Sequence, residues 1–82
     1  MDAEFLDQPG NERESARYAN YFEIGHNAAE FILDFGQVYS QAEGRQMHTR
    51  IVTSPAYAIA LLRLLEKAVG RHEQIYGAIR EE

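Results

Sequence analysis

The hydrophobic period of this chain changes once, at Ser54-Pro55. Before that point apolar residues recur at every second position; after it they recur at i, i+3, i+4 and i+7. A period of two belongs to a strand with two unlike faces, and the second spacing belongs to an amphipathic helix. One switch of this kind restricts the chain to a run of strands followed by a helix, an α+β architecture.

Residues 18–53 read as three strands in an antiparallel meander. In YANYFEIGH, Phe22 and Ile24 share one face with Asn20, while Tyr21, Glu23 and Gly25 share the other. In EFILDFGQVY, Phe31, Leu33 and Phe35 alternate with Ile32, Asp34 and Gly36. The link His26-Asn27-Ala28-Ala29 is short and carries a turn-tolerant asparagine, which predicts a hairpin. SQAEGRQ is a polar connection around Gly44. MHTRIVTS then alternates Met47, Thr49, Ile51 and Thr53 against His48, Arg50 and Val52. Inside the second strand Asp34 is an acid among β-formers, and cross-strand pairing with Arg50 would satisfy both and fix the register.

Residues 55–76 read as one helix. Ser54 is a good N-cap and Pro55 suits the first helical position, where a backbone N–H is not needed. Ala58, Leu61, Leu62, Leu65, Val69, His72 and Tyr76 form one stripe. Gly77 is placed to cap the C-terminus. Such a helix is about 33 Å long, enough to lie across a three-stranded sheet. Gly70 in its interior costs about 1 kcal/mol relative to alanine, which suggests close packing or a bend there.

The first 17 residues hold five acids, two bases, a Pro-Gly pair and little apolar material. They read as a flexible acidic arm preceding a single domain over 18–82, with Phe5 and Leu6 as the one pair able to dock. That leaves roughly 60 ordered residues, near the lower limit for a core without disulfides or metal. The chain has no cysteine, so disulfides and thiolate metal centres are excluded. A three-stranded sheet also has two open edges and an uncovered face. The surplus apolar residues Tyr21, Ile32 and Val38 on the sheet, with Tyr57, Ile59 and Leu64 on the helix, are therefore the expected interaction surface. The simplest use of it is a homodimer or a higher homo-oligomer.

The blocks YANYFEIGHNAAEFILDFGQVY and HTRIVTSPAYAIALLRLLEKAVGRHEQIYG resemble a family of small bacterial proteins known as a domain of unknown function. The resemblance rests on Tyr18-Ala19-Asn20, Glu30-Phe31 leading into Leu33-Asp34-Phe35-Gly36, Arg50-Ile51-Val52 and Ser54-Pro55. It continues through Ala58, Leu61, Leu62, Leu65, Glu73 and Gly77, and Ile59 departs from it where a basic residue is expected. It implies a β-β-β-α unit and no particular activity.

Chemistry is thinly represented. Thirteen acids against eight bases give a net charge of −5, and the bases are scattered, which disfavours nucleic acid and anionic membrane surfaces. No apolar run reaches the roughly 18–20 residues of a membrane span. The start MDAEFLDQPG is acidic where a secretory leader is basic, so a cytoplasmic location is expected. His26, Glu30 and Asp34 are the best candidates for a metal site or an acid–base centre, but one histidine and two acids without a spacing signature make an incomplete set. His48 and His72 read as satisfied half-buried imidazoles. The serines sit in the arm, at a loop and at the helix cap, none in a nucleophile elbow. The expectation is a protein without cofactor, metal or catalytic residues: an interaction module acting on a protein or peptide partner. A holdase-like chaperone for extended peptides is the first alternative, and a small metal protein or enzyme using His26, Glu30 and Asp34 is the second.

Overall fold

The computed structural model describes residues 16–40 and 44–81, and the arm expected over 1–17, with Phe5 and Leu6, lies outside them up to residue 15. Strands β1 (Tyr21–His26), β2 (Phe31–Ser40) and β3 (Gly44–Thr53) are followed by helix α1 (Pro55–Tyr76). The strands form an antiparallel sheet in the order β1-β2-β3, so β1 and β3 are its edges. The chain divides between Pro55 and Ala56 into two compact units, one holding the sheet and the other the helix. That division falls within the 18–82 span.

The β1–β2 hairpin is made by Asn27. Its side-chain Oδ1 accepts from the N–H groups of Ala29 and Glu30, both at 2.8 Å. Its own N–H donates to the Glu30 carbonyl at 3.0 Å. An asparagine that binds its own backbone two and three residues on fixes a tight reversal without glycine. Beyond it the register runs His26 opposite Phe31, Ile24 opposite Leu33 and Phe22 opposite Phe35. Before β1, Asn20 lengthens the pairing. Its N–H donates to the Gly36 carbonyl at 3.0 Å. Its side-chain amide donates to the Val38 carbonyl at 3.3 Å and accepts from the Val38 N–H at 2.8 Å.

Between β2 and β3, Asp34 stands opposite Arg50 and Phe35 opposite Thr49, but Gly36 stands opposite Met47. One residue, His48, is therefore extra on β3, which is a β-bulge. The bulge corrects one feature of the sequence reading. Met47 does not continue the Thr49–Ile51–Thr53 series; its sulfur lies against Gly36, where a Cβ would be 2.6 Å from the Met47 Sδ and 2.6 Å from the Gln46 carbonyl oxygen. Gly36 is the one described residue that is buried, and it is glycine because the neighbouring strand already occupies the space of a side chain. β3 consequently starts at Gly44, three residues before the alternation is visible.

The helix has the boundaries that Ser54-Pro55 and Gly77 mark. Gly77 has φ 93° and its N–H donates to the Glu73 carbonyl at 2.8 Å, a left-handed C-terminal residue of the kind glycine favours. The Glu73 carboxylate also accepts from the Ile79 N–H at 3.2 Å. No acid lies in the first turn and no base in the last, so side-chain charges do little for the helix dipole.

Candidate functional site

No described hydrophobic side chain is buried. One face of the sheet carries an apolar set in register. Phe22 and Ile24 of β1, Phe31, Leu33 and Phe35 of β2, and Ile51 of β3 stand opposite one another in register. Phe22 and Phe35 meet edge to face with ring centroids 5.8 Å apart, and His26 stacks on Phe31 at 5.5 Å. These contacts order the face without covering it: Phe22 is 56% and Ile24 63% exposed. Burying one such side chain fully contributes about 1.5–3 kcal/mol, and with Phe31, Leu33 and Phe35 already half-buried the unrealised part is on the order of 5 kcal/mol. That is comparable with the whole stability of a typical domain.

The opposite face is organised by charge. Arg50 clasps Asp34 with two hydrogen bonds, Nε to Oδ1 at 2.8 Å and Nη2 to Oδ2 at 2.9 Å. The expected cross-strand pair is thus present, as a bidentate fork. Those hydrogen bonds hold the Asp34 carboxyl below the ordinary carboxylate range, and they push the Arg50 guanidinium further up. Only 17% of the Asp34 side chain is exposed, against 67% for Arg50, so the arginine covers the acid. A second group is built from Tyr21, Glu23 and Arg45. The Tyr21 hydroxyl donates to Glu23 Oε2 at 2.8 Å, Arg45 Nε lies 3.6 Å from the same oxygen, and the guanidinium sits 5.0 Å from the Tyr21 ring centroid. The bond to Glu23 raises the Tyr21 pKa above its usual value. Sequence reasoning missed this cluster because Arg45 lies beyond the bulge, where alternation loses its count.

The expected interaction residues fall in two sets. Tyr21, Ile32 and Val38 lie on the sheet. Tyr21 and Ile32 are half-buried, and Val38 faces Arg45 across β3. Tyr57, Ile59 and Leu64 are exposed on the helix. So are Leu62 and Leu65, which belong to the main stripe, at 55% and 58%. Ser54 is half-buried immediately before Pro55, the first residue of α1.

At one end of the sheet an open hollow of about 380 Å³ is lined by Arg17, Tyr18, Gln37, Gln46, Met47 and His48, among others. His48 is engaged on both ring nitrogens, 3.0 Å from the Tyr18 carbonyl and 2.7 Å from the Thr49 hydroxyl. Arg17 donates to the His48 carbonyl at 3.4 Å. The bulge turns this histidine towards the segment before β1, and that contact pins the incoming chain. Among the described residues no three His, Cys, Asp or Glu side chains form a group that could hold a metal ion, and this includes His26, Glu30 and Asp34. No helix among the described residues is long and apolar enough to cross a membrane.

Three antiparallel strands followed by one C-terminal helix define the class of this chain as a small α+β protein. Its family follows from comparison: residues 4–81 match the family described as "Protein of unknown function (DUF3467)", and the chain belongs to it. No curated protein and no solved structure matches the chain.

Proposed function

We propose that this protein is a non-enzymatic interaction module that works as a small homo-oligomer. The observation that carries the reading is the open face of Phe22, Ile24, Phe31, Leu33, Phe35 and Ile51, in a chain none of whose described hydrophobic side chains is buried. Contiguous apolar surface of this kind marks association sites. The edge strand β1 adds a second means of contact, since an edge offers unpaired N–H and C=O groups to an extended segment. The acid best placed for chemistry, Asp34, is held ionised in its fork with Arg50, which fits a structural role better than proton transfer.

Ile24→Glu tests the reading, because it puts a charge into the face without touching the turn or the Asp34–Arg50 pair. The parent protein is expected to sediment as an oligomer and to retain one stoichiometric protein or peptide partner on affinity capture. The variant is expected to lose mass and partner together. A parent that binds many unrelated unfolded chains instead would favour the holdase reading of the same face, and a variant indistinguishable from its parent would overturn both.

A further inference from the structure

Arg17 is the uncommitted cation of the sheet unit. Arg45 reaches Glu23 and Arg50 clasps Asp34. Arg17 has no acid partner among the described residues and donates one long bond, to the His48 carbonyl at 3.4 Å. It stands at the hollow at the end of the sheet. The segment before β1 crosses β2 there: Asn20 is tied to Val38 of β2, and the Tyr18 carbonyl to His48 of β3, two strands from β1. A carbonyl only accepts, so His48 Nε2 carries the hydrogen and Nδ1 accepts from the Thr49 hydroxyl. Neither nitrogen is left for a ligand; this histidine holds the crossing chain in place beside the bulge, a feature common near binding sites.

The crossing leaves about 380 Å³ between Arg17, Tyr18, Gln37, Tyr39, Gln46 and Met47, within the roughly 300–1,000 Å³ of small-molecule sites. No acid among the described residues lines it, in a chain of net charge −5. The Tyr18 and Tyr39 hydroxyls and the Gln37 and Gln46 amides have no hydrogen-bond partner among the described residues. A cation and four neutral donors thus line one hollow, all uncommitted.

The geometry points to a binding site for the carboxylate of a small organic acid. A guanidinium fork matches a carboxylate through two parallel hydrogen bonds. One fixed cation balances one negative charge, so a dianion would be left half compensated. The tyrosine rings, 68% and 57% exposed, and the Met47 thioether offer apolar area to the rest of the molecule. All of the lining residues lie in one compact unit of one chain, so the site does not rest on the homo-oligomer reading.

Benzoate is the probe, titrated into the full chain at pH 7 and followed by proton–nitrogen NMR. Saturable shifts are expected at the amides of residues 17–18, 37–39 and 46–48. Arg17→Gln should weaken binding at least about tenfold, the loss expected for a charged hydrogen-bonded pair. Arg45→Gln removes the same charge from the opposite face and should leave the affinity unchanged. Benzamide, of like shape without the charge, should bind at least about tenfold more weakly than benzoate, and sulfate, a dianion, more weakly too. Tyr39→Phe keeps the ring and loses one donor, and should weaken benzoate about threefold in a protein whose spectrum is otherwise intact. Shifts spread over the helix, or equal losses in Arg17→Gln and Arg45→Gln, would show attraction by overall charge and overturn the proposal. Tighter binding of sulfate, wild-type affinity in both Arg17→Gln and Tyr39→Phe, or no saturable shift at about 10 mM benzoate would overturn it as well.

Discussion

Replacing Gly36 by alanine tests the packing of the sheet where its geometry is tightest. The added Cβ would lie 2.6 Å from the Gln46 carbonyl oxygen, 2.6 Å from the Met47 sulfur and 3.1 Å from the Met47 Cα. The sulfur ends a flexible side chain and can swing aside. The carbonyl and the Cα belong to the backbone of β3 and cannot move without opening the ladder beside the bulge. Overpacking against backbone costs about 1–3 kcal/mol, and in a chain of this size each kcal/mol shifts Tm by roughly 4–8 °C. Thermal unfolding followed by circular dichroism, at one fixed protein concentration, measures the loss. Gly25→Ala is the internal control: nothing lies within 4 Å of its added Cβ, and it should be neutral or slightly stabilising. In a Met47→Ala background the sulfur is gone and the carbonyl remains, so Gly36→Ala should still destabilise. Full recovery in that background would refute the claim that backbone limits the site, and a Gly36→Ala protein as stable as its parent would refute the close approach itself.

The remaining expectations concern charge and the helix end. Asp34 has a lowered pKa when folded, so its stabilisation is complete above the ordinary carboxylate value near 3.9 and is lost as pH falls through the lower folded value. Asp34→Asn should therefore be less stable than the parent at pH 7 and should flatten the acid limb of a stability–pH curve. A double-mutant cycle with Arg50→Gln should show coupling, whereas simple additivity would contradict the fork. Gly77→Ala places a Cβ on a residue at φ 93° and should cost about 1 kcal/mol, read as a lower helix melting temperature; an unchanged melt would mean that the left-handed turn is not needed.

The α+β meander, both ends of the helix and the Asp34–Arg50 pair were legible in the sequence because each rests on a local rule. Period two places strands, Pro55 starts the helix and Gly77 stops it, and an isolated acid in an apolar strand needs a base opposite it. What was not legible depends on counting across strands. The bulge at His48 moves Met47 out of its apparent series, and it carries Arg45 to Tyr21 and Glu23, which no alternation of β3 alone would suggest. Asn20 reads as a strand residue, yet its amide stands in for a backbone pair to Val38. Periodicity tells which face is apolar, and it is silent on what covers that face.

That cover is the central claim, and the mass of the native protein in dilute solution tests it most directly. Sedimentation equilibrium at micromolar concentration should return at least twice the mass of the 9.4 kDa chain, with cooperative unfolding whose midpoint rises with protein concentration. A stable, cooperatively folding species of 9.4 kDa, with a midpoint independent of concentration, would contradict it.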